Sequence, residues 1–244
     1  TVLQRELDIL RQRQGADGGW GYYDFQYVLP NPSGNESTSF NTASVLLAVD
    51  EARDRGFEID MDMVQDGINC VERMRLPSGA YVYGTYAQYR PQAPYNMVKG
   101  SLGRSQPCNL ALHAWDRAIS LAQMRTGVEA LRDDHHYIEI GRGRKRPHEA
   151  YYSTSGYYYF YGHYYAGRVI EQLDEPDRIT LATWLQDVMV DVQDPGGSWF
   201  DYPLYGYGHA YGTAYGILVL QACDRALADD ADASTTTALD AGNS

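Results

Sequence analysis

The chain has 244 residues, a formal net charge of −12, 44% hydrophobic residues and 21% charged residues. This is globular composition and excludes a largely disordered chain; the acidity argues against a nucleic-acid footprint, which is basic. No apolar run reaches the ~18 residues that read as a membrane span.

Three scattered cysteines, Cys70, Cys108 and Cys223, form neither a CxxC pair nor a disulfide framework. The first residue is Thr1, not Met, which reads as an excised or processed protein and leaves export open.

The elements follow in chain order. Leu3, Leu7 and Leu10 fall at i, i+4, i+7 and predict an amphipathic helix. It leads into a turn from Gln14 through Gly18 to Trp20, of the form Q-x-x-x-G-x-W. Residues 38–49 are small and apolar nearly all round, so they predict a helix buried on most sides. After an Asp60 cap, Met61, Val64, Ile68 and Val71 predict a second amphipathic helix. Arg75, Gly79 and Tyr81 form a weaker copy of the turn, and a second buried helix follows over 106–115.

In the third unit the amphipathic helix is expected from about Thr126, with Val128, Leu131, His135 and Ile138 on one face. Its turn is stretched by a basic run through His148, and its buried helix is the tyrosine-rich 155–172. The fourth opens at Glu175-Pro176, with Leu181, Leu185, Val188 and Val192 periodic. It turns through Gln193, Gly197 and Trp199 and ends in an apolar helix from Tyr211. Small, acidic and polar residues after about Leu227 read as a tail or linker, 227–244, behind a repeat domain, 1–226.

The last two units overlay. Tyr157, Tyr161 and Tyr165 match Tyr207, Tyr211 and Tyr215; Gly162 and Ala166 match Gly212 and Gly216, with Gly208 a turn earlier. Each set is a helical stripe, and a small-residue ridge beside an aromatic one lets helices approach closely. About four outer/inner helix pairs predict an all-α protein with very little strand: an α/α toroid, closed into an arc or ring.

The Q-x-x-x-G-x-W turns, and "GGSWFD" followed by "YGTAYGILVLQA", resemble the squalene-cyclase and prenyltransferase repeat superfamily. "RSQPCNLALHAW" and "YYYFYGHYYAGRVIEQL" resemble bacterial squalene-cyclase-like proteins. The resemblance covers most of 1–226 and implies α/α toroids, whose Q/W turns tie repeats together. It makes Gln14, Trp20, Gln193 and Trp199 structural staples.

The superfamily's chemistry is not carried over. Squalene-hopene cyclases protonate an alkene from a D-x-D-D acid. Asp60-Met-Asp62, Asp133-Asp134 and Asp229-Asp230-Ala-Asp232 do not match it. The Asp-x-Cys zinc motif of prenyltransferase β-subunits is absent too, and Gly212 follows Tyr211 where their zinc His would stand.

Three groups remain. Eight tyrosines between Tyr151 and Tyr165 exceed the needs of packing. Tyr157, Tyr158, Tyr161, Tyr165, Tyr207, Tyr211 and Tyr215, with His163 and His209, are therefore candidates to line a cavity for an apolar or carbohydrate-like ligand, or a protein partner. Cys108, His163 and His209 stand near the starts of successive buried helices and are candidate zinc ligands, although dispersed His and Cys commonly have structural explanations. Arg142, Arg144, Lys145 and Arg146 are candidates for an anion or acidic partner. The reading is a binding domain without a cofactor. The alternatives are a terpenoid cyclase whose acid lies outside this segment, or a metal-dependent or polysaccharide-acting enzyme on the same scaffold.

Overall fold

A computed structural model describes residues 2–21, 36–116, 119–202 and 208–240, with side chains described as far as 228. The described residues form nine α-helices: α1 (Val2–Gln12), α2 (Ser39–Asp54), α3 (Met61–Met74), α4 (Leu102–Ala114), α5 (Leu121–Asp133), α6 (His136–Glu139), α7 (Tyr159–Ile170), α8 (Asp177–Asp191) and α9 (Gly208–Asp240). Among them there is no strand, only isolated bridges joining Thr38 to Gly84 and Arg75 to Tyr81.

The apolar helices pack in chain order, α2 on α4, α4 on α7 and α7 on α9. The amphipathic helices cover them: α3 lies on α2 and α4, α5 on α4 and α7, and α8 on α7 and α9. One core runs through all of them, from Leu46 and Leu110 to Phe160, Leu185 and Val219.

Local signals explain the boundaries. The Asp60 carboxylate accepts from the backbone N–H of Asp62 (3.0 Å) and Met63 (3.1 Å), which starts α3. In α5 the expected start near Thr126 is corrected to Leu121. Ser120 and Gln123 form a capping box there, a Ser-x-x-Gln signal in plain view. The earlier start ends α5 at Asp133, so His135 caps the short α6 and Ile138 lies within it. Helix α4 begins at Leu102 rather than 106, with Pro107 inside it. At the other end, α9 continues as helix through Asp240, past the composition change near Leu227.

The three Q/W-like turns share one backbone. Gly15 N–H donates to Gly19 C=O (2.8 Å) and Gly18 N–H to Gly15 C=O (2.9 Å). Leu76, Ala80 and Gly79 repeat this at 2.8 and 2.9 Å, and Asp194, Ser198 and Gly197 at 2.8 and 2.8 Å. Gly18, Gly79 and Gly197 have φ of +86°, +83° and +82°, the left-handed region that only glycine enters freely. In the outer two turns an indole N–H closes back on the preceding helix, Trp20 on Leu10 C=O (2.9 Å) and Trp199 on Met189 C=O (2.8 Å).

The glutamines differ in reach. Gln14 donates to Gly18 C=O (2.7 Å) and to Met63 C=O of α3 (2.8 Å), joining one unit to the next. Gln193 donates to Gly197 C=O of its own turn (3.0 Å). In the middle turn Arg75 replaces the glutamine, and Tyr81 donates to Asn109 Oδ1 (2.8 Å) instead of closing on a carbonyl.

The glycine ridges serve two purposes. A Cβ on Gly162 would lie 2.5 Å from Gly103 Cα, so α7 and α4 cross almost backbone to backbone. A Cβ on Gly216 would lie 2.7 Å from the Trp199 ring, and one on Gly212 would lie 2.6 Å from Trp199 C=O. The α9 glycines therefore seat the staple tryptophan rather than a neighbouring helix.

Candidate functional site

Helical phase divides the aromatic residues of α7. Tyr161 and Tyr165 share one side, while Tyr159 and His163, displaced by two residues, point the other way.

On the first side, tyrosines of α7 meet α2 and the tyrosines of α9. The Tyr161 hydroxyl lies 2.7 Å from Ser44 Oγ and donates to Phe40 C=O (3.0 Å). The Tyr165 hydroxyl donates to the same Ser44 oxygen (3.1 Å). Tyr161 stacks edge-on against Phe40 (6.2 Å) and Tyr165 (5.0 Å), and Tyr164 against Tyr215 (5.2 Å). Tyr211 lies 4.7 Å from Tyr215, and its hydroxyl donates to Tyr157 C=O (3.3 Å). Arg168 holds the edge of this surface, pairing with Glu51 of α2 (3.1 Å) and donating to the Tyr164 hydroxyl (3.1 Å).

Tyr165 is buried, while Tyr157, Tyr161, Tyr164, Tyr211 and Tyr215 are half-buried, so ring area remains open to solvent. Burial raises the Tyr161 and Tyr215 hydroxyls above the usual range and pushes Tyr165 up to about 12. All three are neutral donors and acceptors at ordinary pH. The surface thus offers π-faces and neutral hydroxyls beside one ion pair.

The remaining candidates are distributed as follows. Tyr158 is buried, edge-on to Phe40 at 5.3 Å, beneath the surface rather than on it. Tyr157 pairs through its hydroxyl with His148 Nε2 (3.0 Å) at the rim. Tyr207 lies outside the described residues. His209 is exposed and stacked on Phe200 (4.2 Å, 8° between planes), and does not join the tyrosines.

His163 lies on the opposite side of α7, fully buried. Its Nδ1 is 2.6 Å from Tyr159 C=O, which can only accept, so Nδ1 carries the proton. Its Nε2 is then the acceptor from His135 Nε2 at 2.9 Å. Trp184 of α8 packs edge-on against His135 (5.8 Å). Burial is the main reason that His163 is held down at about 3 and His135 is lowered as well.

Near this pair, Arg142 pairs with Glu139 (3.0 Å) and lies 5.5 Å over the Tyr159 ring. Asp201, fully enclosed, is pushed up to about 7 by burial, against the opposing pull of the Phe160 N–H and Arg142. His135 and Asp201 were not among the site residues expected from the sequence. The periodic face shared by Leu131, His135 and Ile138 was the available signal for the first; nothing local marks the second.

The candidate zinc ligands are not brought together. Cys108 is buried beside Ser39, with burial holding its thiol up, while His163 faces His135 and His209 faces Phe200. Among the described residues no group of three or more His, Cys, Asp or Glu side chains is placed to hold a metal ion. The basic run does not converge either. Arg142 is paired with Glu139, Arg144 with Glu149 (3.5 Å), and Lys145 and Arg146 are exposed.

No helix among the described residues is long and apolar enough to cross a membrane. The chain matches no protein-family model and no curated protein.

Proposed function

We propose that this chain is an α/α-toroid repeat domain, of the squalene-cyclase and prenyltransferase type that it resembles, and that it binds a ligand on its tyrosine surface without transforming it. The observation that carries this reading is the meeting at Ser44. Helix α4 packs against both α2 and α7. In a flat row α2 and α7 would stand two interhelical spacings apart, roughly 16–20 Å. Yet Tyr161 and Tyr165 of α7 both hydrogen-bond Ser44 of α2. The shared Ser44 supports a row that bends over α4, with the tyrosines on its concave side.

The ligand that best fits is a carbohydrate-like one. Open ring area takes the apolar face of a sugar, while Glu51, Arg168 and the Tyr164 hydroxyl take its hydroxyls. An unbranched hydrocarbon would leave those polar groups without exchange for their water.

Asp201 favours a second reading, acid chemistry of the cyclase kind, because burial pushes its carboxyl up to about 7, so that it keeps its proton in mildly acidic solution. Its position argues against access: Asp201 is almost wholly enclosed.

Titration with a cello-oligosaccharide, a chito-oligosaccharide and a polyprenyl alcohol, followed by tyrosine fluorescence, tests the proposal. An oligosaccharide should bind, and Tyr215→Ala should weaken it about tenfold, the worth of one stacked ring. Binding of the polyprenyl alcohol alone would replace the sugar with an isoprenoid. Conversion of squalene to a cyclic product would overturn the non-catalytic reading.

A further inference from the structure

A second candidate site lies where the middle turn departs from its two sisters. Between that turn, α4 and α5 is a cavity of about 290 Å³, lined in part by Arg75, Val98, Leu102, Gln106, Asn109 and Gly127. That is close to the lower end of small-molecule pockets. None of the surface tyrosines lines it.

Two polar side chains that line this cavity each carry an unsatisfied buried atom. Gln106 is fully buried; its Nε2 donates to Leu102 C=O (3.1 Å) and Gly127 C=O (2.9 Å). Its Oε1 is buried with no partner among the described residues, and so is Arg75 Nε. Each such group is unfavourable to bury unless something meets it. Asn109 adds a donor. Its Oδ1 accepts from Tyr81, which turns Nδ2 toward Gly127.

The repeat explains the opening. In the first turn Gln14 spans the gap to the next outer helix by donating to Met63 C=O. Arg75 stands at the equivalent position and makes no such bond to α5 among the described residues; its side chain lines the cavity beside the Tyr81 hydroxyl.

We propose that this cavity binds a small carboxylate that also carries a hydroxyl or amino donor. The carboxylate meets the Arg75 guanidinium and Asn109 Nδ2, in charge-assisted geometry. The donor meets Gln106 Oε1, and the short carbon chain lies on Val98 and Leu102. An all-apolar occupant leaves Arg75 Nε and Gln106 Oε1 unmet, and a simple carboxylate leaves Gln106 unmet.

The test compares lactate, propionate and propane-1,2-diol by amide NMR, read at Gly127 N–H and the Gln106 side-chain amide. Lactate should shift both signals. Propionate, lacking the hydroxyl, and the diol, lacking the carboxylate, should each bind at least ~5-fold more weakly. Arg75→Gln restores the residue of the sister turns, so it should fold, and it should weaken lactate more than ~10-fold. Gly127→Ala is the second variant, because its Cβ would lie 2.9 Å from Asn109 Nδ2 and 3.2 Å from Gln106 Oε1; it should abolish the lactate shift of the Gln106 side-chain amide. No shift with roughly 50 mM lactate on the wild-type chain means that the cavity is merely hydrated, and overturns the proposal. Lactate binding unchanged by Arg75→Gln overturns it as well.

Discussion

On α7, Tyr161 and Tyr165 face α2 and α9, whereas Tyr159 and His163 face α5, α6 and α8. Both faces are aromatic and both are hydrogen-bonded. They differ in what closes them. The first keeps ring area open, and its hydroxyls share Ser44 and Phe40 C=O. The second is sealed, and carries its polar groups as a neutral imidazole pair beside Trp184. Aromatic density alone does not announce a site; the face on which the rings lie does, through what the next helix leaves uncovered.

The largest way to break this contrast is to truncate one ring on each side. Tyr159→Ala removes a fully buried ring and should cost about 3–5 kcal/mol in urea unfolding. Tyr215→Ala, half-buried, should cost much less while losing ligand. Equal costs would erase the distinction between the faces.

Next is the crossing that sets both faces. Gly162→Ala places a Cβ 2.5 Å from backbone that has little room to move, and should cost about 1–3 kcal/mol. A lowered melting temperature with unchanged helix content by circular dichroism would match a displaced α4–α7 contact.

The sealed side should also respond to pH. His163 titrates near 6.5 when unfolded and about 3 when folded. Its contribution is complete above 6.5 and is lost as pH falls, because only the unfolded chain takes the proton. Asp201 has the opposite sign. Raised from 3.8 to about 7, it favours the folded state fully below 3.8, and that gain is lost as pH rises through 7. Between about pH 4 and 6.5 the two slopes, each ~1.4 kcal/mol per pH unit, oppose each other. Asp201→Asn should therefore leave stability rising with pH in that window, and His163→Gln should leave it falling. Denaturation at four pH values separates these outcomes from a flat profile in both variants.

Smaller effects belong to the open side. Tyr161→Phe strips one hydroxyl from Ser44 and Phe40 C=O and should cost about 1 kcal/mol. Arg168→Ala should cost ~1 kcal/mol or less, as half-exposed ion pairs do, yet should weaken sugar binding if that edge takes hydroxyls.

Most of the helical framework was legible from the chain. Period and caps located α1, α3 and α8, the small-residue runs located α2, α4 and α9, and the tyrosine-rich run located α7. Misplaced boundaries had local causes: the Ser120–Gln123 box moved α5 earlier, and Pro107 sits inside α4 rather than before it. The site was legible only as a stripe. Tyr161, Tyr165, Tyr211 and Tyr215 are where the i, i+4 spacing placed them, but Ser44, Phe40 and Glu51 are more than a hundred residues away, and no spacing points to them.

By itself the sequence determined three things: periodicity set the helices, glycine at Gly18, Gly79 and Gly197 set left-handed turns, and Trp20 and Trp199 set their closure. Those are properties of neighbours along the chain, enforced by backbone sterics and short-range hydrogen bonds. Tertiary structure decided the rest. It turned His163 away from Cys108 and onto His135, buried Asp201 where its carboxyl holds its proton more tightly, and brought Ser44 of α2 within reach of two tyrosines of α7. It also left the Arg75 turn open where Gln14 closes its own. Burial and long-range contact fix these outcomes, and both depend on how helices meet in three dimensions.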